Sequence, residues 1–461
     1  MPKSQSKTTY VCSECGADSP RWEGRCSRCG TWNSLTEVVQ QAPRPGASGP
    51  SLPARPPVEL ASVDATGEAR IPLSSPEFSR VLGGGVVPGS LILLGGEPGI
   101  GKSTLLLQAA ADLATPESPV LYVSGEESEH QIRMRASRLD IRGRNLFVHA
   151  ANDLDAALRY MDETSPRLAI VDSIQTVFLS RSGSSPGSPG QIREATWRLL
   201  EWSKSSGVPV MISGHVTKEG AIAGPRMLEH MVDVVLYLEG DVYSPYRLLR
   251  GEKNRFGSTN EVGIFEMTER GLTDVPDPSR ALLSERRPGG IGSVIVPVME
   301  GTRPLLVEVQ ALTSMTPFNL PRRTANGIDV NRLLLITAVL GKRMGARLAN
   351  QDVLVNVVGG LRIREPSADL AVALAVLSSL KDRPVHDGLI AVGEVGLGGE
   401  LRSAPHLARR LQEAAQLGLD TGIIPASTPK GFVAPQDMSL VKVSNLSEAA
   451  RAALEARARK T

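Results

Sequence analysis

The 461-residue sequence has no cysteine after Cys29 and no apolar run long enough to span a bilayer. A membrane helix needs about 20 predominantly apolar residues, and the N-terminal stretch MPKSQSKTTYV contains no apolar core of the signal-peptide kind. The restriction of cysteine to the N terminus argues against a disulfide framework for the whole chain. These absences predict a cytoplasmic protein without a membrane partner.

The sequence also lacks a strong charge of either sign. Its 51 Lys and Arg residues against 49 Asp and Glu residues give a net charge of +2. Any contact with nucleic acid must therefore come from local basic patches rather than from bulk charge. The 41% apolar and 22% charged content is typical of a globular protein, and the length allows two or three domains.

Composition divides the chain into four segments. Residues 1–38 carry all four cysteines, and residues 39–66 form a linker rich in proline, glycine and serine. Between residues 67 and 280, short apolar runs such as SLILLGGEP, RLAIVDSI and VPVMISGH alternate with helical patterns. This alternation predicts an α/β fold with a mostly parallel sheet covered on both faces. Residues 285–461 again mix strands with long helices.

The cysteines form two CxxC pairs separated by ten residues: Cys12, Cys15, Cys26 and Cys29. Two CxxC turns can close a tetrahedral four-sulfur Zn²⁺ site, which leaves no open position and is therefore structural rather than catalytic. The alternative is two redox dithiols or disulfides. Neighbouring side chains could contact nucleic acid or a protein, or form a solvated basic face: Arg21, Trp22, Arg25 and Arg28.

The segment GGEPGIGKST indicates a nucleotide site. It fits the pattern GxxxxGK[ST] after an apolar strand and before a helix, which is the context that this motif requires. We expect the backbone amides to surround the phosphates of ATP, Lys102 to reach the β- and γ-phosphates, and Ser103 to bind Mg²⁺. The predicted nucleotide-binding residues are Gly96, Glu97, Pro98, Gly99, Ile100, Gly101, Lys102, Ser103 and Thr104.

Three further strand ends carry candidate hydrolysis residues. The strand RLAIVD ends in Asp172, which is expected to hold Mg²⁺ through water, although an acid here can also be a helix cap. A hydrolase needs a group that activates water. The stretch LYVSGEES supplies Glu126 for this role, with Glu127 as the alternative. His215, at the end of MISGH, is either a γ-phosphate sensor or a structural histidine.

Together with the motif KNRFG, these features resemble the bacterial RadA (Sms) family of recombination proteins over nearly the whole chain. The resemblance implies a RecA-like P-loop ATPase core, related to DnaB-type helicases. Such ATPases assemble as rings or filaments with ATP between subunits, and we expect a hexameric ring. In RecA-like proteins, two basic residues of one subunit reach the γ-phosphate of its neighbour. Lys253 and Arg255 match that role; the alternative is a solvated hairpin tip. Phe256 is expected to anchor the tip by packing.

The same resemblance implies a function. It implies a DNA-dependent ATPase that binds single-stranded and branched DNA and drives branch migration in recombinational repair, together with the RecA recombinase. Basic residues in two loops after core strands are candidate DNA contacts: Arg181, Lys218 and Arg226. The alternatives are a RecA-like signalling ATPase or phosphotransferase of the KaiC kind, which needs no DNA, and a non-enzymatic zinc-linked adaptor.

Residues 285–461 resemble the proteolytic domain of Lon, an ATP-dependent protease with a Ser–Lys dyad. The segment EPSADLAVALA places Ser367 at the nucleophile position, but Ala408 occupies the lysine position. The adjacent Arg409 and Arg410 cannot act as a base, because a guanidinium stays protonated. Lys381 lies near the end of the helix that follows Ser367. A Lon-type protease is therefore the less favoured alternative.

We predict instead that this block is a non-proteolytic, ring-forming scaffold. Long helices are expected at 329–348 and 367–380, with Ser367 as the N-cap of the second helix and Asp369 in its first turn. Basic residues that could add a duplex-DNA surface are Arg347, Arg362, Arg364, Arg402, Arg409 and Arg410.

Overall fold

A computed structural model describes residues 7–12, 17–40, 58–59, 62, 69–180, 185–215, 225–241, 244–317, 320–428 and 431–454. The chain separates into two compact units. The first comprises Met1–Glu239 and Arg247–Asp274, and the second comprises Gly240–Tyr246 and Val275–Thr461. Within the described ranges, none of the helices has the length and apolar character that crossing a bilayer requires.

A small antiparallel sheet lies near the N terminus. Its described strands are β1 (Lys7–Cys12), β2 (Asp18–Ser19) and β3 (Leu35–Gln40), in the order β2-β1-β3. Cys12 and Cys26 are buried in its core. A core of this size is too small to be stable without a further cross-link such as a metal.

The main sheet of the first unit has nine strands within the described residues. Along the chain they are β4 (Leu91–Gly96), β5 (Val120–Ser124), β6 (Leu146–Ala150), β7 (Leu168–Asp172), β8 (Val210–His215), β9 (Val234–Glu239), β10 (Tyr246–Asn254), β11 (Val262–Thr268) and β12 (Gly271–Asp274). Their order across the sheet is β12-β11-β10-β9-β4-β8-β7-β5-β6. Strands β4 to β9 pair in parallel, whereas β10 is antiparallel to β9 and β12 to β11.

Helices cover both faces of this sheet. They are α1 (Pro76–Leu82), α2 (Lys102–Leu113), α3 (Glu129–Arg138), α4 (Leu154–Thr164), α5 (Pro189–Ser206) and α6 (Pro225–Leu228). Along β4, Ile92 and Leu94 belong to one buried apolar cluster, and Leu91 and Leu93 belong to another. Because successive side chains of a strand point to opposite faces, burial on both faces explains the unbroken apolar run. The predicted α/β class with a mostly parallel sheet is confirmed.

The second unit is built on a seven-stranded mixed sheet and a short hairpin. Its described strands are β13 (Ser293–Glu300), β14 (Arg303–Met315), β15 (Arg323–Asn326), β16 (Gln351–Val357), β17 (Leu389–Ala391), β18 (Glu394–Val395), β19 (Leu401–Arg402), β20 (Thr421–Pro425) and β21 (Ser439–Val443). The sheet order is β15-β16-β14-β13-β17-β20-β21, and β18 pairs with β19.

The helices of the second unit include the two long ones expected from the sequence. They are α7 (Pro278–Leu283), α8 (Val330–Met344), α9 (Asp369–Lys381), α10 (Leu407–Gln416) and α11 (Leu446–Leu454). Helix α9 is buried from Asp369 to Ser378, so it is a central helix of this unit. Its all-round burial explains why its sequence is apolar on every side.

The prediction that Ser367 caps this helix is wrong. Ser367 lies in a 3₁₀ turn, Pro366–Ala368, and α9 begins only at Asp369. Because that turn moves the helix start, the Ser367 hydroxyl does not cap it; this hydroxyl is buried and has no hydrogen-bond partner in the part of the chain described. The carboxylate of Asp369 instead pairs with Arg332 and accepts a hydrogen bond from the Val395 amide.

The prediction that Arg410 belongs to a DNA-binding surface is also wrong. Its side chain is 0% exposed. Its Nη1 and Nη2 atoms donate to the two carboxylate oxygens of Glu365 at 2.6 and 2.5 Å, and Nη1 also donates to the Pro297 carbonyl at 2.6 Å. A fully buried guanidinium that binds Glu365 and Pro297 cannot reach a DNA phosphate. The remaining arginines of that set are exposed: Arg347, Arg362, Arg364, Arg402 and Arg409.

A candidate nucleotide-hydrolysis site

The predicted hydrolysis residues converge at one edge of the main sheet. Lys102, Glu126, Asp172 and His215 follow or end the parallel strands β4, β5, β7 and β8, respectively. The carboxyl ends of neighbouring parallel strands meet at one edge of a sheet, which is where α/β proteins bind ligands.

The phosphate-loop motif forms a tight turn between β4 and α2. Gly96 and Gly101 have φ angles of 154° and 117°, and a Cβ atom at Gly96 would lie 2.6 Å from the Leu238 carbonyl oxygen. These conformations require glycine. Among the described residues, no side chain caps the first turn of α2. The amides of that turn, which includes Ser103 and Thr104, therefore suit an anion.

The other residues of the loop differ in their exposure to solvent. Glu97, Pro98 and Gly99 are exposed, whereas Ile100 is buried. The buried side chain of Arg247 donates through Nε to the Ile100 carbonyl at 3.2 Å. Sequence reasoning missed Arg247, because nothing in the local sequence connects β10 with this loop.

Lys102 is folded back onto its own loop. Its side chain is buried, and Nζ donates to the carbonyl oxygens of Gly96 and Glu97 at 2.9 and 3.0 Å. The third contact of Nζ is with Nδ1 of His215 at 3.2 Å. Burial lowers the pKa of Lys102, and the nearby carboxylates of Asp172 and Glu126 oppose that effect. All three N–H groups of the ammonium are thus occupied.

His215 connects Lys102 to Glu126. Because an ammonium can only donate, Nδ1 of His215 accepts from Lys102, and Nε2–H donates to Oε1 of Glu126 at 3.2 Å. The same Glu126 oxygen accepts from the Ser173 hydroxyl at 2.6 Å. The hydrogen bond from His215 is the largest cause that lowers the pKa of Glu126 to about 2. Glu126 is therefore an ionised carboxylate that accepts two hydrogen bonds, one from His215 and one from Ser173.

Glu127 points elsewhere. Its carboxylate forms an ion pair with Arg135 of α3, and its amide donates to the Ser124 hydroxyl at 3.0 Å. The structure therefore brings Glu126, and not Glu127, next to Lys102 and His215.

Asp172 is held by two side chains that sequence reasoning missed. It is 7% exposed; Oδ2 accepts from the Tyr122 hydroxyl at 2.6 Å, and Oδ1 accepts from the Ser213 hydroxyl. Burial, followed by the charge of Asp172, raises the pKa of Tyr122 well above its usual value. Tyr122 consequently remains a hydrogen-bond donor. No local sequence pattern could have found them, because both contacts depend on β5 and β8, which carry these residues, flanking β7 in the sheet.

The cationic pair of KNRFG is engaged in contacts within the first unit. Nζ of Lys253 donates to the Glu229 carbonyl at 2.6 Å, and burial, then the charge of Arg255, lowers the pKa of Lys253. Nη1 of Arg255 pairs with the buried carboxylate of Asp233 at 3.2 Å, although 55% of the Arg255 side chain is exposed. Phe256 packs against the apolar core, as predicted.

This tip lies at the edge of the sheet opposite to the phosphate loop. Since β10 is antiparallel to β9, Asn254 pairs with Val234, the first residue of β9. Asp233, which holds Arg255, also accepts from the amide of Leu91 at 3.0 Å, at the start of β4. The phosphate loop follows the other end of β4, about 17 Å away at the usual rise of a strand.

Three of the four predicted zinc ligands are described, and they cluster. The Sγ atoms of Cys12, Cys26 and Cys29 lie within 4.8 Å of one another. The backbone turn is closed by hydrogen bonds from the Gly30 amide to the Cys26 carbonyl and from the Cys26 amide to the Thr31 carbonyl, both 2.9 Å. This donor set fits a tetrahedral thiolate metal. Cys15 lies outside the described residues.

Two of the three predicted DNA-contacting residues lie outside the described part of the chain. Arg181 and Lys218 are not among the described residues, and for Arg226 only its place in α6 is described.

In the second unit, the Ser367 hydroxyl has no hydrogen-bond partner, lysine or other, among the residues that the structure describes. Ala408 is exposed on α10, and Lys381 is the exposed last residue of α9.

Comparison with known families identifies three regions of the chain. Residues 10–37 match a rubredoxin metal binding domain, residues 54–221 match an AAA domain, and residues 333–428 match the subunit ChlI of Mg-chelatase. The zinc-ribbon and ATPase character of the first two regions is thereby confirmed.

Full-length relatives are also similar to the chain. A protein named "DNA repair protein RadA" from Bacillus subtilis (strain 168) is 48% identical over 98% of this chain and 100% of its own length. Relatives of the same name from Listeria monocytogenes and Halalkalibacterium halodurans are both 47% identical, over 98% and 96% of this chain and 100% and 98% of their own lengths. At this identity over almost the entire length, the chain belongs to the RadA family of DNA repair proteins.

Proposed function

We propose that this protein is a DNA-dependent ATPase that promotes branch migration during recombinational DNA repair. The observation that carries the ATPase part of the proposal is the contact series Lys102–His215–Glu126 beside Asp172, at the edge of the sheet where the phosphate loop begins α2. The series brings the Lys102 ammonium and the His215 imidazole close to two carboxylates. This combination supports nucleotide hydrolysis, which needs a cation for the phosphates and carboxylates for metal and water. The DNA part rests on membership of the family.

We infer that Gly96 to Thr104 surround the phosphates of ATP and that Ser103 and Asp172 hold Mg²⁺, which neutralises phosphate charge when bound. Lys102 would exchange its bonds to the Gly96 and Glu97 carbonyls for bonds to phosphate oxygens, which are stronger acceptors because they are charged. Tyr122 and Ser213 would keep Asp172 oriented throughout.

Glu126 is the proposed group that activates water. A carboxylate with a pKa of about 2 is a weak base, since a catalytic base works best with a pKa near the working pH. In the described arrangement Glu126 would orient the water rather than remove its proton. When Lys102 turns to phosphate, His215 loses its donor at Nδ1. The hydrogen bond from His215 to Glu126 would then weaken or shift. In this way, binding of the phosphate would change the position of the carboxylate that orients water.

Lys253 and Arg255 are proposed to serve the ATP of a neighbouring subunit in a hexameric ring. Their position opposite to their own phosphate loop supports a role between subunits. Arg255 can leave Asp233 without isolating that buried carboxylate, because Asp233 also accepts from Lys204 at 2.8 Å and from the Leu91 amide. Its departure therefore leaves no unpaired charge in the core, and the 55% exposed guanidinium can return to solvent.

The partners proposed from family membership are single-stranded and branched DNA and the RecA recombinase, which places the protein in the cytoplasm. We propose four functional segments: a zinc ribbon (1–38), a linker (39–66), the ATPase (67–280) and a non-proteolytic Lon-like scaffold (285–461). Ala408 at the lysine position supports the absence of proteolysis in the scaffold, and so does the Ser367 hydroxyl, which has no hydrogen-bond partner among the described residues.

The decisive experiment compares ATP hydrolysis with and without single-stranded DNA, and three-strand branch migration, for wild type and Lys102→Ala. We expect Lys102→Ala to lose hydrolysis and migration while folding normally, and the exposed-lysine control Lys342→Ala to match wild type. Hydrolysis that persists in Lys102→Ala would refute the site. Wild-type hydrolysis that ignores DNA would instead favour a signalling ATPase.

The inter-subunit role has a separate test. Arg255→Ala should bind ATP normally but lose DNA-coupled work, whereas Arg198→Ala, an exposed arginine in a surface ion pair, should not. Mixtures of Arg255→Ala with Lys102→Ala subunits should recover part of the hydrolysis, because hybrid interfaces combine an intact phosphate loop with an intact Arg255. No recovery at any ratio would rule out this role.

A further inference from the structure

Two tryptophans on the N-terminal ribbon are exposed to solvent. Trp22 and Trp32 are 56% and 70% exposed, which is unusual for indoles in a small domain with so little apolar core. They flank one point: a Cβ atom built on Gly24 would lie 3.9 Å from Trp22 and 3.7 Å from Trp32. The absence of a side chain at Gly24 leaves this space open between the two rings.

The ribbon holds this pair on a rigid support. Arg25 and Trp32 form an antiparallel β-bridge, and the Asn33 amide donates to the Gly24 carbonyl at 2.8 Å. The cysteine turn Cys26–Cys29 lies in the chain between the two bridged residues. A metal bound by these cysteines would therefore fix the position of the aromatic pair.

Positive charge accompanies the indoles. The Arg25 guanidinium lies 5.8 Å from the Trp32 ring centroid, and its Nε donates to the Gly30 carbonyl at 2.7 Å. Gly30 has a φ of 76°, and a Cβ there would approach Arg25 to 3.0 Å. Arg21 is highly exposed, in an exposed ion pair with Glu23, and Arg28 is exposed as well.

We propose that Trp22 and Trp32, with Arg25 beside them, form a stacking platform for the bases of single-stranded DNA. Exposed aromatic rings bind bases of any sequence through their π-faces, and adjacent arginines attract the phosphates. Three arginines against one glutamate between residues 21 and 32 complement the phosphates of a nucleic-acid backbone. The exposed indoles beside them favour a partner that also offers flat rings, as single-stranded DNA does, over a purely acidic or purely apolar surface. This inference rests on the proposed DNA-dependent function and assigns one DNA contact to the ribbon.

The test measures binding of the full-length protein to two fluorescent probes: a dT oligonucleotide and an abasic strand of equal length. The abasic strand has the same phosphates but no bases. We expect Trp22→Ala and Trp32→Ala each to weaken dT binding by a factor between about 5 and about 150, the range of one lost base stack. Binding of the abasic strand should be unchanged, and Trp32→Phe should retain most of the dT affinity.

The controls separate stacking from folding and from charge. Trp197→Ala removes a 42% exposed tryptophan of α5 in the ATPase part and should bind dT like wild type. Zinc content of each variant reports an intact ribbon. Arg21→Ala should weaken both probes alike and lower the slope of log affinity against log salt by about 0.7.

The outcomes are distinct. Tryptophan variants with normal zinc content and wild-type affinity for dT would overturn the platform, and so would equal losses for both probes. If such variants lose only the response to a protein partner, the surface is a protein contact and the proposal is wrong. If wild type binds neither probe, the DNA-dependent function itself fails.

Discussion

Replacement of Tyr122 by Phe removes a single oxygen atom and tests whether Asp172 depends on the residues that hold it. The Tyr122 hydroxyl donates to Oδ2 of Asp172 at 2.6 Å, and both residues are buried. In the variant, Oδ2 loses this donor in a place where little water can replace it, whereas Oδ1 keeps its bond from Ser213.

The expected magnitude follows from the charge and burial of the acceptor. A hydrogen bond to a charged group contributes about 1.5–3 kcal/mol, and Asp172 is only 7% exposed, so little of this is recovered from solvent. We expect the free energy of unfolding to fall by about 2 kcal/mol, which lowers the Tm by roughly 4–8 °C for a unit of this size. Residues that orient a metal ligand change metal affinity or activity by about 10- to 100-fold.

The assays are a thermal melt and a Mg²⁺ titration of ATP hydrolysis. Tyr122→Phe should melt earlier and need about tenfold more Mg²⁺ for half-maximal hydrolysis. Tyr160→Phe is the matched control, because Tyr160 is 46% exposed on α4 and should change neither quantity. A Tyr122→Phe protein with the wild-type Tm and Mg²⁺ dependence would show that Asp172 is oriented by other means.

Three further predictions concern pH, metal and stability. The hydrogen bond from His215 is the largest cause of the low pKa of Glu126, so His215→Ala should raise that pKa from about 2 towards its ordinary 4.5. The acid limb of the pH profile of kcat/KM should then move to higher pH. An unmoved limb would contradict the role of Glu126 in hydrolysis. Any stability that this depressed pKa provides is present above about pH 4.5 and lost as pH falls towards 2. Chelation of zinc should unfold the ribbon, seen as a change in tryptophan fluorescence, while the melt of the ATPase part stays in place; a shift of both would show that the two parts unfold together. Ser367→Ala should leave the Tm equal or higher, because it removes a buried hydroxyl without a partner among the described residues. Ser378→Ala should lower the Tm, since the Ser378 hydroxyl accepts from the Gly292 amide and donates to the Arg383 carbonyl.

The features predicted correctly from the sequence are those that depend on local pattern. The apolar runs that precede the phosphate loop and Asp172 are strands β4 and β7, and both are buried on both faces. A strand end is a local feature, and parallel pairing brings such ends together whatever the strand order. This is why Lys102, Glu126 and Asp172 could be placed in one site before the sheet order was known.

The features that were missed depend on strand order or on a shift of one or two residues. Tyr122 and Ser213 contact Asp172 only because β5 and β8 flank β7, and no local pattern carries that information. Ser367 fails as a cap because a single 3₁₀ turn precedes α9. The burial of Arg410 could not be predicted because its partner Glu365 is 45 residues away in the chain.

The Glu365–Arg410 pair also has an evolutionary consequence. Removal of one partner of a buried ion pair costs about 3–5 kcal/mol, which is a large part of the stability of a typical domain. Arg410 is fully buried and Glu365 is 22% exposed, so loss of Glu365 leaves a buried guanidinium without its carboxylate. The two positions are therefore expected to be retained or replaced as a pair among related sequences. The exposed positions beside them on α10, Ala408 and Arg409, carry no such constraint and are expected to vary independently.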